Sequence, residues 1–166
     1  MAVKVIDGDI IKLAKEGWFD VIVHGCNCFC TMGAGLAPKM AEAFKCNLFE
    51  KEKPQYRGDQ SKLGTIDYQC VTIVIGTDEW DISEFDLTVV NAYTQYNYKK
   101  RVDDPPTVDY DAIKSVMIEL NKTFAGKRIG LPRIGSGLAG GDESIIESII
   151  RDQLIDCEVY IVNFKP

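Results

Sequence analysis

DVIVHGCNCFCTMGAGLAPKMAEAF, residues 20–44, decides the fold. Asp20–His24 is dominated by β-branched residues, the pattern of a strand buried on both faces of a sheet. Glycines follow at Gly25, Gly33 and Gly35, and then Leu36, Ala37, Met40, Ala43 and Phe44 recur at helical spacing. Pro38 falls where a first helical turn needs no amide donor. The order is strand, glycine loop, helix.

The same order returns at residues 128–150, RIGLPRIGSGLAGGDESIIESII: a strand over Arg128–Leu131, a second glycine loop, and a helix face made by Ile145, Ile146, Ile149 and Ile150. Around these units, residues 2–6 read as a first strand and Ile10–Ala14 as a short helix ended near Gly17. Val71–Ile75 and Leu87–Ala92 read as neighbouring strands. Pro105 and Pro106 precede Thr107, read as the N-cap of a long helix carrying Ile113, Val116, Met117, Leu120 and Phe124. Val159–Val162 is a last strand, and the polar, mixed residues 47–61 read as helix followed by loop, the least legible part of the chain. Alternating strands and helices predict an α/β fold, a three-layer α/β/α sandwich with a mixed, mostly parallel central sheet. No linker or repeat divides residues 1–166, so one domain is expected.

Composition narrows the function classes. Hydrophobic residues make up 46% and charged residues 27%, the balance of a globular protein. No apolar run approaches the ~18 residues of a membrane span, and the N-terminus lacks the apolar block of a secretory signal, so a cytoplasmic monomer without membrane contact is expected. The net charge of −6 gives no long-range attraction for polymeric nucleic acid. Six cysteines in that setting read as reduced, packed thiols, and one histidine with no paired CxxC makes no zinc pattern. Neither metal nor cofactor is implied.

Both glycine loops follow buried strands and precede helices, where open α/β sheets bind ligands. Glycine lets backbone N–H groups approach an anion closely, and two such loops can grip a diphosphate from opposite sides. The dinucleotide pattern GxGxxG is broken at Pro38, and no GK[ST] of a phosphate-loop NTPase occurs.

The succession GDI, HGCN, MGAGLA, LPRIGSGLAGGD and VYIVNF resembles the macro domain, an ADP-ribose-binding module, over nearly the whole chain. HGCNC followed by GAGLA looks most like the branch of ADP-ribose 1''-phosphate phosphatases. That resemblance implies binding of ADP-ribose or ADP-ribose 1''-phosphate and hydrolysis of the terminal phosphate. It places Asp9 at the adenine amino group with Ile10 beside it, Phe164 on the adenine face and Asn163 near the proximal ribose. Asn27 would hold the distal ribose. Gly33, Ala34 and Gly35 would approach that ribose and the phosphates, and the amides of Ser136, Gly137, Leu138 and Ala139 would cradle the diphosphate. Three of these residues also have a local alternative: Asp9 as a helix cap, Asn27 in an Asx turn, and Phe164 at a core edge.

His24 matches the histidine of phosphatases in the same HxCN setting and reads as a general acid or base, against the alternative of a core histidine. Asp142 either orients an attacking water or caps the following helix. Two other functions fit the resemblance. One is hydrolysis of ADP-ribose from modified protein or nucleic acid, although Gln95 and Ala139 stand where that branch carries its lysine and loop acid, leaving only Lys99 or Lys100 of a shifted loop. The other is a reader that binds ADP-ribose without turnover.

Overall fold

The computed structural model describes residues 2–52, 57–98, 101, 103–137 and 139–166. A six-stranded sheet consists of β1 (Val3–Gly8), β2 (Val21–Asn27), β3 (Ile66–Ile75), β4 (Ser83–Gln95), β5 (Arg128–Pro132) and β6 (Glu158–Phe164), in the order β1-β6-β5-β2-β4-β3. All neighbours are parallel except β3, an edge strand antiparallel to β4. Helices α1 (Ile10–Lys15), α2 (Ala37–Phe44), α3 (Tyr110–Thr123) and α4 (Glu143–Gln153) cover the sheet.

Strand alternation sorts the core into two layers. On one face Ile22, Leu87, Val89 and Val162 meet Ile10 and Ala14 of α1 and Met40 and Phe44 of α2. On the other, Val21, Val23, Val90, Ile129, Leu131, Val159 and Ile161 meet Ile113, Val116, Met117 and Leu120 of α3 and Ile146 and Ile150 of α4. The expected three-layer α/β/α sandwich is therefore the observed one. Among the described residues no helix is long and apolar enough to cross a membrane.

Several boundaries differ from the sequence expectation. β3 starts at Ile66, and β4 runs for 13 residues. Asp67–Cys70 lack an apolar pattern, but their backbone groups pair along β4 from Asn91 to Thr88, and on an edge strand that pairing sustains the ladder. The cap of α3 is Asp109, whose Oδ1 accepts from Ala112 N at 2.9 Å, rather than Thr107, whose N–H donates to Ala139 O. Part of the unassigned polar stretch folds as 3-10 helix, over Cys46–Glu52 and Gln60–Lys62.

The ladder between β2 and β5 covers only Val21–Ile22 against Ile129–Gly130, while β2 continues to Asn27 and β5 to Pro132. Pro132 has no N–H with which to donate another rung. Ile134 packs instead toward Gly25, where an added Cβ would lie 3.4 Å from the isoleucine Cγ2 and 2.9 Å from Thr94 Oγ1. The two glycine loops thus leave neighbouring strands at the same edge of the sheet. The chain from β5 crosses through α4 toward β6 and the chain from β2 toward β4, which makes this edge a topological switch point.

Leu120 is fully buried in the α3–α4 layer. Leu120→Ala is expected to lower unfolding free energy by about 3 kcal/mol, through lost transfer energy and an unfilled cavity. Urea denaturation followed by circular dichroism measures it, and a loss below about 1 kcal/mol contradicts the packing described.

Candidate functional site

A cleft of about 240 Å³ opens at the carboxyl edge of β1, β6 and β5, on the α1–α2 side. Gly8 and Ile10 come from the end of β1 and the start of α1, Gly35, Leu36 and Lys39 from the first glycine loop and α2, and Pro132, Val162 and Phe164 from β5 and β6. Its floor is apolar, and Lys39 is the one charged residue among the described lining residues. Phe164 is 61% exposed, with Lys39 Nζ 5.3 Å from its ring centroid.

Of the residues singled out in the sequence, Ile10, Gly35 and Phe164 come together in this cleft. Gly33 and Ala34 are exposed on the same loop, and an added Cβ at Gly33 would touch nothing. Asp9 caps α1: its Oδ1 accepts from Ile11 N at 3.0 Å and Lys12 N at 3.3 Å. Asn163 points away from Phe164, as residues one apart on a strand must. Its Oδ1 accepts from Arg133 Nε at 2.9 Å and its Nδ2 donates to Asp7.

Asn27 is 6% exposed and engaged with its own loop. Its Oδ1 accepts from Phe29 N and Thr31 N, and its Nδ2 donates to Thr31 O at 3.0 Å. The side chain therefore fixes the turn that leads to Gly33–Gly35.

The second loop is shaped by glycine. Gly141 N donates to Gly135 O at 2.7 Å, and a Cβ at Gly141 would stand 2.6 Å from that same oxygen. Ser136 Oγ donates to Arg133 O at 2.9 Å, and Ala139 O accepts from Thr107 N and Val108 N. The N–H groups of Gly137 and Ala139 have no protein acceptor among the described residues; Leu138 lies outside them. At the root of the loop, Arg133 Nη1 donates to Glu147 Oε1 of α4 at 2.8 Å, holding that carboxyl below its ordinary range. Asp142 caps α4 through Ser144 N at 2.8 Å and Ile145 N at 3.3 Å.

His24 lies in the sheet interior, 2% exposed, opposite Asn91 in the β2–β4 register. Asn91 Nδ2 donates to Cys46 O and Asp67 Oδ1, which leaves Asn91 Oδ1 facing the imidazole at 2.6 Å. With an acceptor there, the proton of the neutral ring belongs on Nε2. Nδ1 is buried without a hydrogen-bond partner among the described residues. Burial depresses the pKa to about 4 despite the bond to Asn91. Cys26 and Cys46 each bring a sulfur to 3.6 Å from Nε2. Burial pushes the Cys46 thiol up to about 11 and the Cys26 thiol upward as well, so both stay protonated at neutral pH. Tyr93 donates its hydroxyl proton to Asp67 and closes the cluster. Cys26, Cys46, Cys70 and Cys157 are free thiols, and among the described residues no group of three or more His, Cys, Asp or Glu is arranged to hold a metal.

Gln95 Nε2 donates to Asn97 O at the end of β4, and Lys99 and Lys100 lie outside the described residues. Two groups of residues escaped the sequence reading. Lys39 carried a local signal, being in the first turn after a glycine loop. Asn91, Asp67 and Cys46 carried none, because only strand register and long-range packing bring them to His24.

No family model matches the chain. It is 36% identical over 171 residues to an uncharacterized 17.5 kDa protein in the tk-vs intergenic region of Enterobacteria phage T4, covering 100% of this chain and 99% of the phage protein. Among solved structures, the macrodomain of Thermus aquaticus DarG superposes with a TM-score of 0.65 at 17% identity, covering 99% of both chains. Thermosipho africanus DarTG in complex with ADP-ribose gives a TM-score of 0.70 at 15% identity, covering 100% of this chain and 42% of that one. The chain therefore belongs to one family with the phage T4 17.5 kDa protein, and the fold it shares with these solved structures is that of macrodomains.

Proposed function

We propose that this protein binds ADP-ribose in the cleft between β1, β6, β5 and the first glycine loop. The observation that carries the reading is an exposed aromatic ring, Phe164, on an apolar floor at the carboxyl edge of the sheet, with the first glycine loop, including the unhindered Gly33, beside it. In this proposal adenine stacks on Phe164 beside Ile10 and the free face of Asp9. Gly33–Gly35 approach the phosphates and distal ribose. The amides of Gly137 and Ala139, open among the described residues, face the diphosphate, where an anion finds hydrogen bonds without a compensating cation, while Ser136 N donates to Arg133 O at 3.4 Å. Asn27 acts by holding the first loop and Asn163 by holding Arg133 at the root of the second.

We assign hydrolysis of the terminal phosphate of ADP-ribose 1''-phosphate as the turnover, supported by the HGCNC and GAGLA resemblance. Water attacks the terminal phosphorus and the bond to the 1''-oxygen breaks; one water proton ends on that oxygen and the released phosphate keeps the other. The loop amides stabilise charge building on the phosphoryl oxygens. His24, with its Nε2 proton committed to Asn91 and almost no exposure, serves in this mechanism to fix the end of β2, and the attacking water's proton passes to the leaving oxygen through solvent water. Asp142 serves as the cap of α4.

Calorimetric titration with ADP-ribose is expected to show saturable one-to-one binding, and Phe164→Ala to weaken it roughly 5- to 150-fold, the worth of one base–aromatic stack. Phosphate release from ADP-ribose 1''-phosphate tests turnover: binding without release identifies a reader, and no binding overturns the whole reading. Removal of ADP-ribose from a conjugate marks the hydrolase instead.

A buried neutral His24 also makes stability depend on pH. Its folded pKa of about 4 lies below the ordinary 6.5, so the unfolded chain takes up the proton first as pH falls. Stability is full above pH 6.5 and declines below it, by about 2 kcal/mol at pH 5. His24 is the only histidine, so His24→Gln should flatten the profile between pH 6.5 and 5 in urea denaturation. An unchanged slope contradicts the buried neutral ring.

A further inference from the structure

We infer that Lys39 makes this cleft select ligands that present an aromatic base and a phosphate together, rejecting the uncharged nucleoside; the inference rests on the ADP-ribose reading above. Lys39 stands in the first turn of α2, directly after the first glycine loop. Its ammonium rests 5.3 Å from the centroid of the Phe164 ring, inside the range of a cation–π contact. Among the described residues no carboxylate pairs with it, and no other lining residue is charged.

The unliganded cleft is thus partly self-occupied: the cation covers the aromatic surface that a base would use. A base stacking on that face must displace the ammonium, which then loses its contact with the ring. A phosphate beside Gly35 gives the displaced cation a stronger, charge-assisted partner. A nucleoside carries the same base and no such partner, so displacement goes uncompensated. Base and phosphate recognition are therefore coupled through one side chain, and the coupling is a selectivity rather than a gain for every ligand.

The test compares ADP-ribose, ADP and adenosine by calorimetric titration on wild type, Lys39→Met and Lys39→Arg. Methionine keeps most of the aliphatic reach without the charge. The expected result is an ADP-ribose affinity about tenfold or more lower in Lys39→Met, the worth of one hydrogen bond to a charged group, with adenosine binding unchanged or tighter. Lys39→Arg should retain most of the preference, and raising salt should weaken ADP-ribose binding more in wild type than in Lys39→Met. Equal losses for ADP-ribose and adenosine in Lys39→Met, or no loss for either, overturn the inference while leaving the ADP-ribose reading standing. A wild type that binds none of the three ligands overturns the parent reading, and this one with it.

Discussion

The short ladder between β2 and β5 is the constraint on which the site depends. Two rungs tie these strands together at Val21–Ile22 and Ile129–Gly130, and beyond them neither strand pairs with the other. A ladder continued to the strand ends would bring the roots of both glycine loops to hydrogen-bonding distance and leave less room between them. Gly130 matters here for its missing side chain: a Cβ would lie 2.6 Å from the ring of buried Phe19. Close packing under that rung holds the strands together at one end, and Pro132 and Ile134 spread them at the other. The opening is a consequence of backbone chemistry at a few positions.

The legible part of the fold was the part written in local periodicity. Ile113, Val116, Met117 and Leu120 face one layer because a 3.6-residue repeat puts them there, and they are buried. The Val21–Val23 run announced a strand covered on both faces and is one. The edge hairpin was harder: Asp67, Gln69 and Cys70 join β3 through pairing with β4, and an edge strand needs no apolar face to be held. Thr107 looked like the cap because it follows two prolines, yet the chain turns two residues later, where Asp109 has its carboxylate in reach of Ala112 N.

Legibility of the site divides in the same way. Glycine spacing marked Gly35 as part of a loop at the carboxyl edge of a sheet, whereas Ile10 and Phe164 were named only through the resemblance to the macro domain; the three line one cleft. Strand alternation, with its period of two, separates Asn163 from Phe164, so a motif that lists both places only one on the cleft floor. His24 shows the limit most sharply. Its neighbours in sequence suggest a reactive imidazole, but its environment is set by Asn91, Asp67 and Cys46, 67, 43 and 22 residues away. An imidazole with a buried, unpartnered Nδ1 costs stability unless the surrounding packing compensates, and Val89, Val90 and Ala92 on β4 are fully buried beside it. Such a group is a specifying feature of the sheet's interior before it is anything else.

The acidic surface and the cleft's single lysine belong to one electrostatic design. A net charge of −6 spread over the molecule acts at long range, but exposed charges farther apart than about 8 Å are largely screened at physiological ionic strength. A polyanion spans many such lengths and meets the acidic surface along most of them. In the proposal above, a small anion responds to what lies close to it, including the open backbone of the first glycine loop and the ammonium of Lys39 on the ring of Phe164. Repulsion of the polymer and capture of the small ligand are thus compatible, because each is decided at a different distance. Amides whose orientation the loop backbone sets do this without burying a charge, which would cost several kcal/mol. In the same proposal the ammonium of Lys39, exchanging the ring of Phe164 for an anion, completes the attraction where water still reaches it.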